Sequence, residues 1–266
     1  RIPGALVGIW SPAGDYAKAF GVADTATGAP MRTDFYSRIG SVTKTFTATA
    51  VLQLVDRGRV GLEDPIAKYV DGVPGGATIT VRQLATMRSG LADYSVTPAF
   101  AAPAAADPTR DFSARQLLDW AFAQPPVFTP GAKWQYCNTN YILLGLLVER
   151  AGAMGLADYL TEHIFGPLGM AHTSFPTGTG FPEPHARGYT DPIEGPDADN
   201  GPPMDATGFS ASMTGAAGAI ISTLDDMRVW VPAVAQGALI SPEMHRQQVT
   251  SESGSDLPPG TGYGIG

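Results

Sequence analysis

The chain has 266 residues and a formal charge of −8, from 17 Lys and Arg against 25 Asp and Glu. With 44 % hydrophobic and 16 % charged residues it can bury a sizeable core, which excludes a disordered chain. Its lysines, Lys18, Lys44, Lys68 and Lys133, are scattered, so nothing resembles a nucleic-acid-binding stripe, and no apolar run approaches the about 18 residues of a membrane span. The single cysteine, Cys137, excludes an internal disulfide and a Cys-built zinc site. A chain beginning at Arg1 reads as processed, with a signal peptide removed.

The opening reads as a hairpin. Leu6 to Trp10 is a short apolar run, Ser11 to Asp15 is turn chemistry, and Tyr16 to Ala23 returns. Met31 to Ile39 suggests a further extended piece. A helix is expected from about Ser41 to Arg57, apolar on most faces and therefore buried, with Gly58 as its stop. Thr80-Val81-Arg82-Gln83 and Ser113-Ala114-Arg115-Gln116 are capping boxes, with Gly90 ending the first helix. Pro and Gly around 98–110 and 124–132 mark loops. Tyr141 to Glu149 and Leu156 to Phe165 read as helices stopped by Gly152 and Gly166. Residues 174–208 read as a long surface loop. Ala216 to Ile221 is strand-like, Ser222 to Asp225 caps a helix that Pro232 should kink or shorten, and Ser241-Pro242-Glu243 opens another. This order predicts an α/β (α+β) fold. An antiparallel sheet domain (1–57 and 215–266) is flanked by helices and interrupted by a mostly helical insertion (58–214).

The chemistry concentrates in two short motifs. Ser41-Val42-Thr43-Lys44 is an S-x-x-K at a helix start, and a spacing of three places both side chains on one face. The helix N-terminus suits a developing oxyanion, and a lysine in a dry site can take the serine proton. Read blandly, Ser41 is an N-cap beside an unrelated lysine. Tyr136-Cys137-Asn138 is the second motif. A tyrosine near a lysine can work as base and acid, and an asparagine amide can hold a substrate carbonyl. The alternative is a turn before a helix at Asn140, with Asn138 capping; both roles can coexist. The four histidines, His163, His172, His185 and His245, show no metal spacing, and there is no G-x-S-x-G elbow. No metal or cofactor is expected.

These motifs and their neighbours resemble the serine β-lactamase and D-alanyl-D-alanine carboxypeptidase family, in particular its class C-like branch, which includes family VIII-type esterases. Phe35 to Lys44 is similar to the first signature, and Tyr136-Cys137-Asn138 to the second, usually Y-S-N. Leu62 to Ile66, Ile79 to Leu84 with Ser89-Gly90-Leu91, Pro167 to Met170 and Ala217 to Thr223 resemble further habitual stretches, in family order. The resemblance implies a β-lactamase/transpeptidase-like fold. It implies an acyl-enzyme on Ser41, activation by Lys44, proton shuttling by Tyr136, substrate orientation by Asn138, and an oxyanion donor in the Ser41 N–H. It implies a hydrolase of D-alanyl peptides, β-lactams or small esters outside the cytoplasm, meeting a small-molecule or cell-wall peptide substrate. The alternatives are a short-chain carboxylesterase, and an inactive penicillin-binding-like envelope protein that binds peptidoglycan or a partner. The third signature, a basic residue or His followed by a small residue and Gly, is not met by Gly266, so several sheet strands are expected to lie outside this chain. Cys137, where Ser is usual, is expected to be a buried filler.

Overall fold

The structure, a computed structural model, describes residues 2–191, 203–251, 257 and 260–266. Strands β1 (Gly4–Ser11) and β2 (Gly14–Gly21) form the expected antiparallel hairpin, in register from Gly4 opposite Gly21 to Ser11 opposite Gly14. The extended piece expected over 31–39 shrinks to β3 (Ser37–Arg38). After it the backbone turns at Gly40, whose φ of 52° is a left-handed value that a side chain would oppose. A 3-10 turn over Gly40–Val42 then leads into α1 (Thr43–Asp56), so the regular helix starts two residues later than Ser41.

Helix α1 is buried almost throughout, from Thr43 to Leu54, as an all-round apolar helix must be. Each fully buried Phe or Leu in it contributes about 1.5–3 kcal/mol relative to exposure. Phe46 stacks on Trp230 with centroids 3.7 Å apart, and the Trp230 indole donates to Thr45 Oγ1 at 2.9 Å. Along its length α1 packs on α5 (Asn138–Gly152), whose Thr139 to Gly145, Leu147 and Val148 are also buried.

The capping box at Thr80 forms with both reciprocal bonds, but α2 covers only Val81–Ala85, well short of Gly90. Residues 98–106, read as loop, are helix α3 (Pro98–Ala106). Proline fits the first position of a helix, where no N–H is needed, and Thr97 caps it by accepting from the Phe100 N–H. Helix α4 (Ala114–Phe122) starts at its predicted cap, Ser113. Helix α5 ends with Ala153 in the left-handed conformation, one residue past Gly152. Gly166 is no stop: α6 (Leu156–Leu160) runs on through a π turn over Thr161–Phe165 into α7 (Gly166–Leu168), and Gly169 takes the left-handed cap.

Within the long loop, β4 (Tyr189–Thr190) pairs with β5 (Met204–Asp205); 192–202 lie outside the described residues. Strand β6 (Ile221–Ser222) pairs antiparallel with β3. Helix α8 (Leu224–Gln236) starts at its Thr223 cap and continues through Pro232 to a left-handed Gly237, and α9 (Pro242–Val249) starts at Ser241. The fold is thus mixed α/β, with small antiparallel sheets and a helical core. Among the described residues no helix is long and apolar enough to cross a membrane.

Candidate active site

Three segments meet around the start of α1. The first is the 3-10 turn that carries Ser41. Val42 donates its N–H to Ile39, and Ile39 donates to Ile220. The turn is thereby held against the strand pair β3–β6. The Ser41 N–H comes before the first N–H that the turn's own bonds use, that of Val42. Ser41 is exposed, whereas Lys44, one turn on, is only 2 % exposed.

The second segment is the stretch before and into α5. It begins with Tyr136, whose hydroxyl donates to Ser41 Oγ at 2.6 Å and whose ring lies 4.7 Å from Lys44 Nζ. Cys137 is the N-cap residue and Asn138 the first residue of α5, so the Asn138 side chain does not cap and is free for another purpose. The third segment is Gly215 to Ile220. Its Ala217 carbonyl accepts from Lys44 Nζ at 2.8 Å, its Ala216 carbonyl accepts from Thr47, and its Ile220 N–H donates to Thr43 Oγ1.

Lys44 Nζ therefore has three partners: Ser41 Oγ at 3.1 Å, Asn138 Oδ1 at 2.9 Å and the Ala217 carbonyl at 2.8 Å. That set fits an ammonium giving three hydrogens. It fits a neutral amine equally well: two hydrogens go to the carbonyl oxygens, and the lone pair takes the Ser41 hydroxyl proton. The balance between the two forms is set by burial, which lowers the Lys44 pKa to about 8, with the nearby Asp93 carboxylate partly opposing it. Burial also raises the Tyr136 pKa, against the hydrogen bond to Ser41, so the phenol stays protonated at neutral pH.

The structure thus brings together Ser41, Lys44, Tyr136 and Asn138, the four residues singled out in the sequence. Cys137 is buried as expected of a filler. Its Sγ faces the Leu91 carbonyl at 3.5 Å, and burial pushes its thiol up to about 12.

Asp93 and Ser95 escaped the sequence reading. Asp93 Oδ2 accepts from the Asn138 backbone N–H at 2.9 Å and from Asn138 Nδ2 at 3.1 Å, and Ser95 Oγ accepts from the same Nδ2 at 3.1 Å. Both residues reach the site because the turn at Ser89-Gly90-Leu91 is stitched to α5. Ser89 Oγ donates to Asn140, Thr139 donates to the Ala92 carbonyl, and the Tyr94 N–H donates to Thr139. Gly90 has φ 75°, and a Cβ there would stand 2.0 Å from the Phe128 carbonyl, so no other residue fits this crossing. A local signal was present: Asp93 caps its own turn by accepting from the Ser95 N–H.

A cavity of about 410 Å³ lies elsewhere, among Phe112, Leu117, Ile142, Leu156 and Phe175, and includes none of the four site residues. Among the described residues no cluster of His, Cys, Asp or Glu could hold a metal ion.

A buried lysine three residues after an exposed serine at a helix start, faced by a tyrosine, thus sits on a mixed α/β scaffold. The chain belongs to the β-lactamase family: the profile of that family, "Beta-lactamase", matches residues 1–266. Among solved structures the chain is similar to a D-stereospecific amidohydrolase from a Streptomyces species, with a TM-score of 0.90 and 33 % identity, covering 99 % of this chain and 77 % of that one. It is 33 % identical over 194 residues to esterase EstB of Burkholderia gladioli, covering 67 % of this chain and 48 % of that protein. It is 31 % identical over 180 residues to penicillin-binding protein 4 of Amycolatopsis lactamdurans, covering 64 % and 44 %. The matches span roughly a third to a half of such curated relatives.

Proposed function

We propose that the chain carries the nucleophile of a serine hydrolase that works through an acyl-enzyme on small amides and esters, with D-amino-acid amides and short D-peptides as its substrate class. The observation that carries the proposal is the anchoring of Lys44 Nζ by Asn138 Oδ1 and the Ala217 carbonyl, which leaves its remaining position aimed at Ser41 Oγ. The similarity to a D-stereospecific amidohydrolase supports the choice of substrate.

In this mechanism neutral Lys44 takes the Ser41 hydroxyl proton while Oγ attacks the scissile carbonyl. The oxyanion forms against the Ser41 N–H. The C–N bond then breaks, and the leaving nitrogen receives the Tyr136 hydroxyl proton, which Lys44 replaces with the one taken from serine. Water enters and attacks the acyl carbon while losing a proton to the same lysine and tyrosine pair; the C–Oγ bond breaks, the pair returns that proton to Oγ, and the acid and free Ser41 are released. Such a positioned base contributes about 10²–10⁴-fold. Work outside the cytoplasm, on peptides of the cell envelope, belongs to the same proposal.

A second reading, a short-chain carboxylesterase, has the similarity to EstB in its favour. One panel separates the two. The native gene product is given D- and L-phenylalanine amide, D-alanyl-D-alanine, a chromogenic cephalosporin and p-nitrophenyl acetate. The proposal expects turnover of the D-amide or the D-dipeptide well above that of the L-amide. Turnover of the aryl ester alone favours the esterase. No turnover of any substrate, with no acyl adduct on Ser41 by intact mass, overturns both.

A further inference from the structure

The environment of Asn138 carries more than the acyl-transfer reading uses. The orientation of its amide is chemically determined. The Asp93 carboxylate can only accept, so the atom facing it is Nδ2, and the atom left facing Lys44 is Oδ1. Both Nδ2 hydrogens are taken, one by Asp93 and one by Ser95. Ser95 is itself tied to Asp93 Oδ1 through its hydroxyl at 2.8 Å and its N–H at 2.9 Å. Asp93 also holds the Asn138 backbone N–H, so one carboxylate fixes both the first residue of α5 and the side chain on it.

We propose that Asp93, with Ser95, is a positioning residue of this site: it locks the Asn138 amide with its oxygen toward Lys44, and so holds the lysine nitrogen on Ser41. The proposal rests on the acyl-transfer reading above for the meaning of that alignment, but the alignment itself can be tested without a substrate. Without Asp93, nothing compels Nδ2 to point away from Lys44. A turned amide would set a donor against the ammonium, and Nζ would leave Oγ. The groups facing Lys44 are Tyr136 and Cys137 ahead of α5, Tyr141 on α5, whose ring is 5.6 Å away, and Asp93; the segment Gly260–Gly266 adds Tyr263 behind Tyr141. Asp93 is the carboxylate of this set, and it favours the charged lysine.

The experiment compares wild type, Asp93→Asn and Ser95→Ala in the native gene product. The first readout is the titration of Lys44 by NMR of lysine-labelled protein, its signal assigned by its loss in Lys44→Met. The second is kcat and KM on the best substrate of the panel, or the rate at which a fluorophosphonate labels Ser41. In Asp93→Asn the Lys44 midpoint is expected to fall by roughly half a pH unit or more. There kcat or labelling should drop at least about tenfold, with KM held within about threefold. Ser95→Ala keeps the charge, so it should leave the midpoint in place and slow the reaction several-fold. A folded Asp93→Asn protein with an unmoved Lys44 midpoint overturns the proposal, even if its activity is lost, because that is the mark of a merely structural role. If Asp93→Asn does not fold, unchanged Ser41 labelling in Ser95→Ala overturns it. A wild-type protein inert to every substrate, but with the Lys44 midpoint displaced as expected in Asp93→Asn, overturns the functional reading and leaves the positioning role standing.

Discussion

Two buried reactive groups sit side by side in this molecule, at the starts of two helices, and burial moves them in opposite directions. At the start of α1 the ammonium of Lys44 is disfavoured, and its pKa falls to about 8. At the start of α5 the thiolate of Cys137 is disfavoured, and its pKa rises to about 12. Burial penalises whichever form is charged. For an amine the neutral form is the base, so burial makes Lys44 useful. For a thiol the charged form is the nucleophile, so the same burial silences Cys137. The neighbours complete the contrast: Lys44 has a serine hydroxyl and two carbonyl oxygens, and Cys137 has the Leu91 carbonyl.

The sharpest way to break this comparison is to remove the two working groups of the first site. Ser41→Ala should cut turnover by about 10⁴-fold or more, and Lys44→Met by about 10³-fold, both with folding intact by circular dichroism. A Lys44→Met protein of near wild-type rate would mean that another group takes the proton. A smaller effect comes from pH. In the proposed mechanism the base is Lys44 in its neutral form, and burial lowers its pKa to about 8, so kcat/KM should fall as pH drops through about 8, by up to about tenfold per unit, and level off above it. A profile flat from pH 6 to 9 would remove the lysine from that role. The smallest effect belongs to the second site. Cys137→Ser should change kcat/KM by less than about twofold, and iodoacetamide should leave the folded wild type unalkylated at pH 8. Rapid alkylation with loss of activity would erase the contrast.

What was legible in the sequence was what depends on short spacing. Ser41 and Lys44 are three residues apart, and one turn of backbone makes them neighbours. Tyr136 and Asn138 were legible as a motif, although their meeting with α1 is tertiary. The caps at Thr80, Ser113 and Ser241 formed, and the stretch Ser222 to Asp225 caps α8 through Thr223, because a cap needs only the next three residues. Helix α3 was missed because prolines at 98 and 103 were read as breakers, whereas the first sits where helices accept one. Gly166 was read as a stop, although the left-handed residue is Gly169. Asp93 stayed hidden for another reason. Its partner Asn138 lies 45 residues away, and the two meet only because the Ser89-Gly90-Leu91 turn is hydrogen-bonded to α5. No local pattern encodes that approach.

The stacking of Trp230 on Phe46 gives the molecule a built-in optical gauge. The indole is 1 % exposed and its N–H is bound to Thr45, the residue next to Lys44. The other three tryptophans, Trp10, Trp120 and Trp134, are at least partly exposed. Emission at the blue edge of the fluorescence spectrum therefore belongs to Trp230, and it reports the seating of the helix that carries the lysine. A red shift of that component on heating or in denaturant would record the loosening of this helix before any assay of turnover is run.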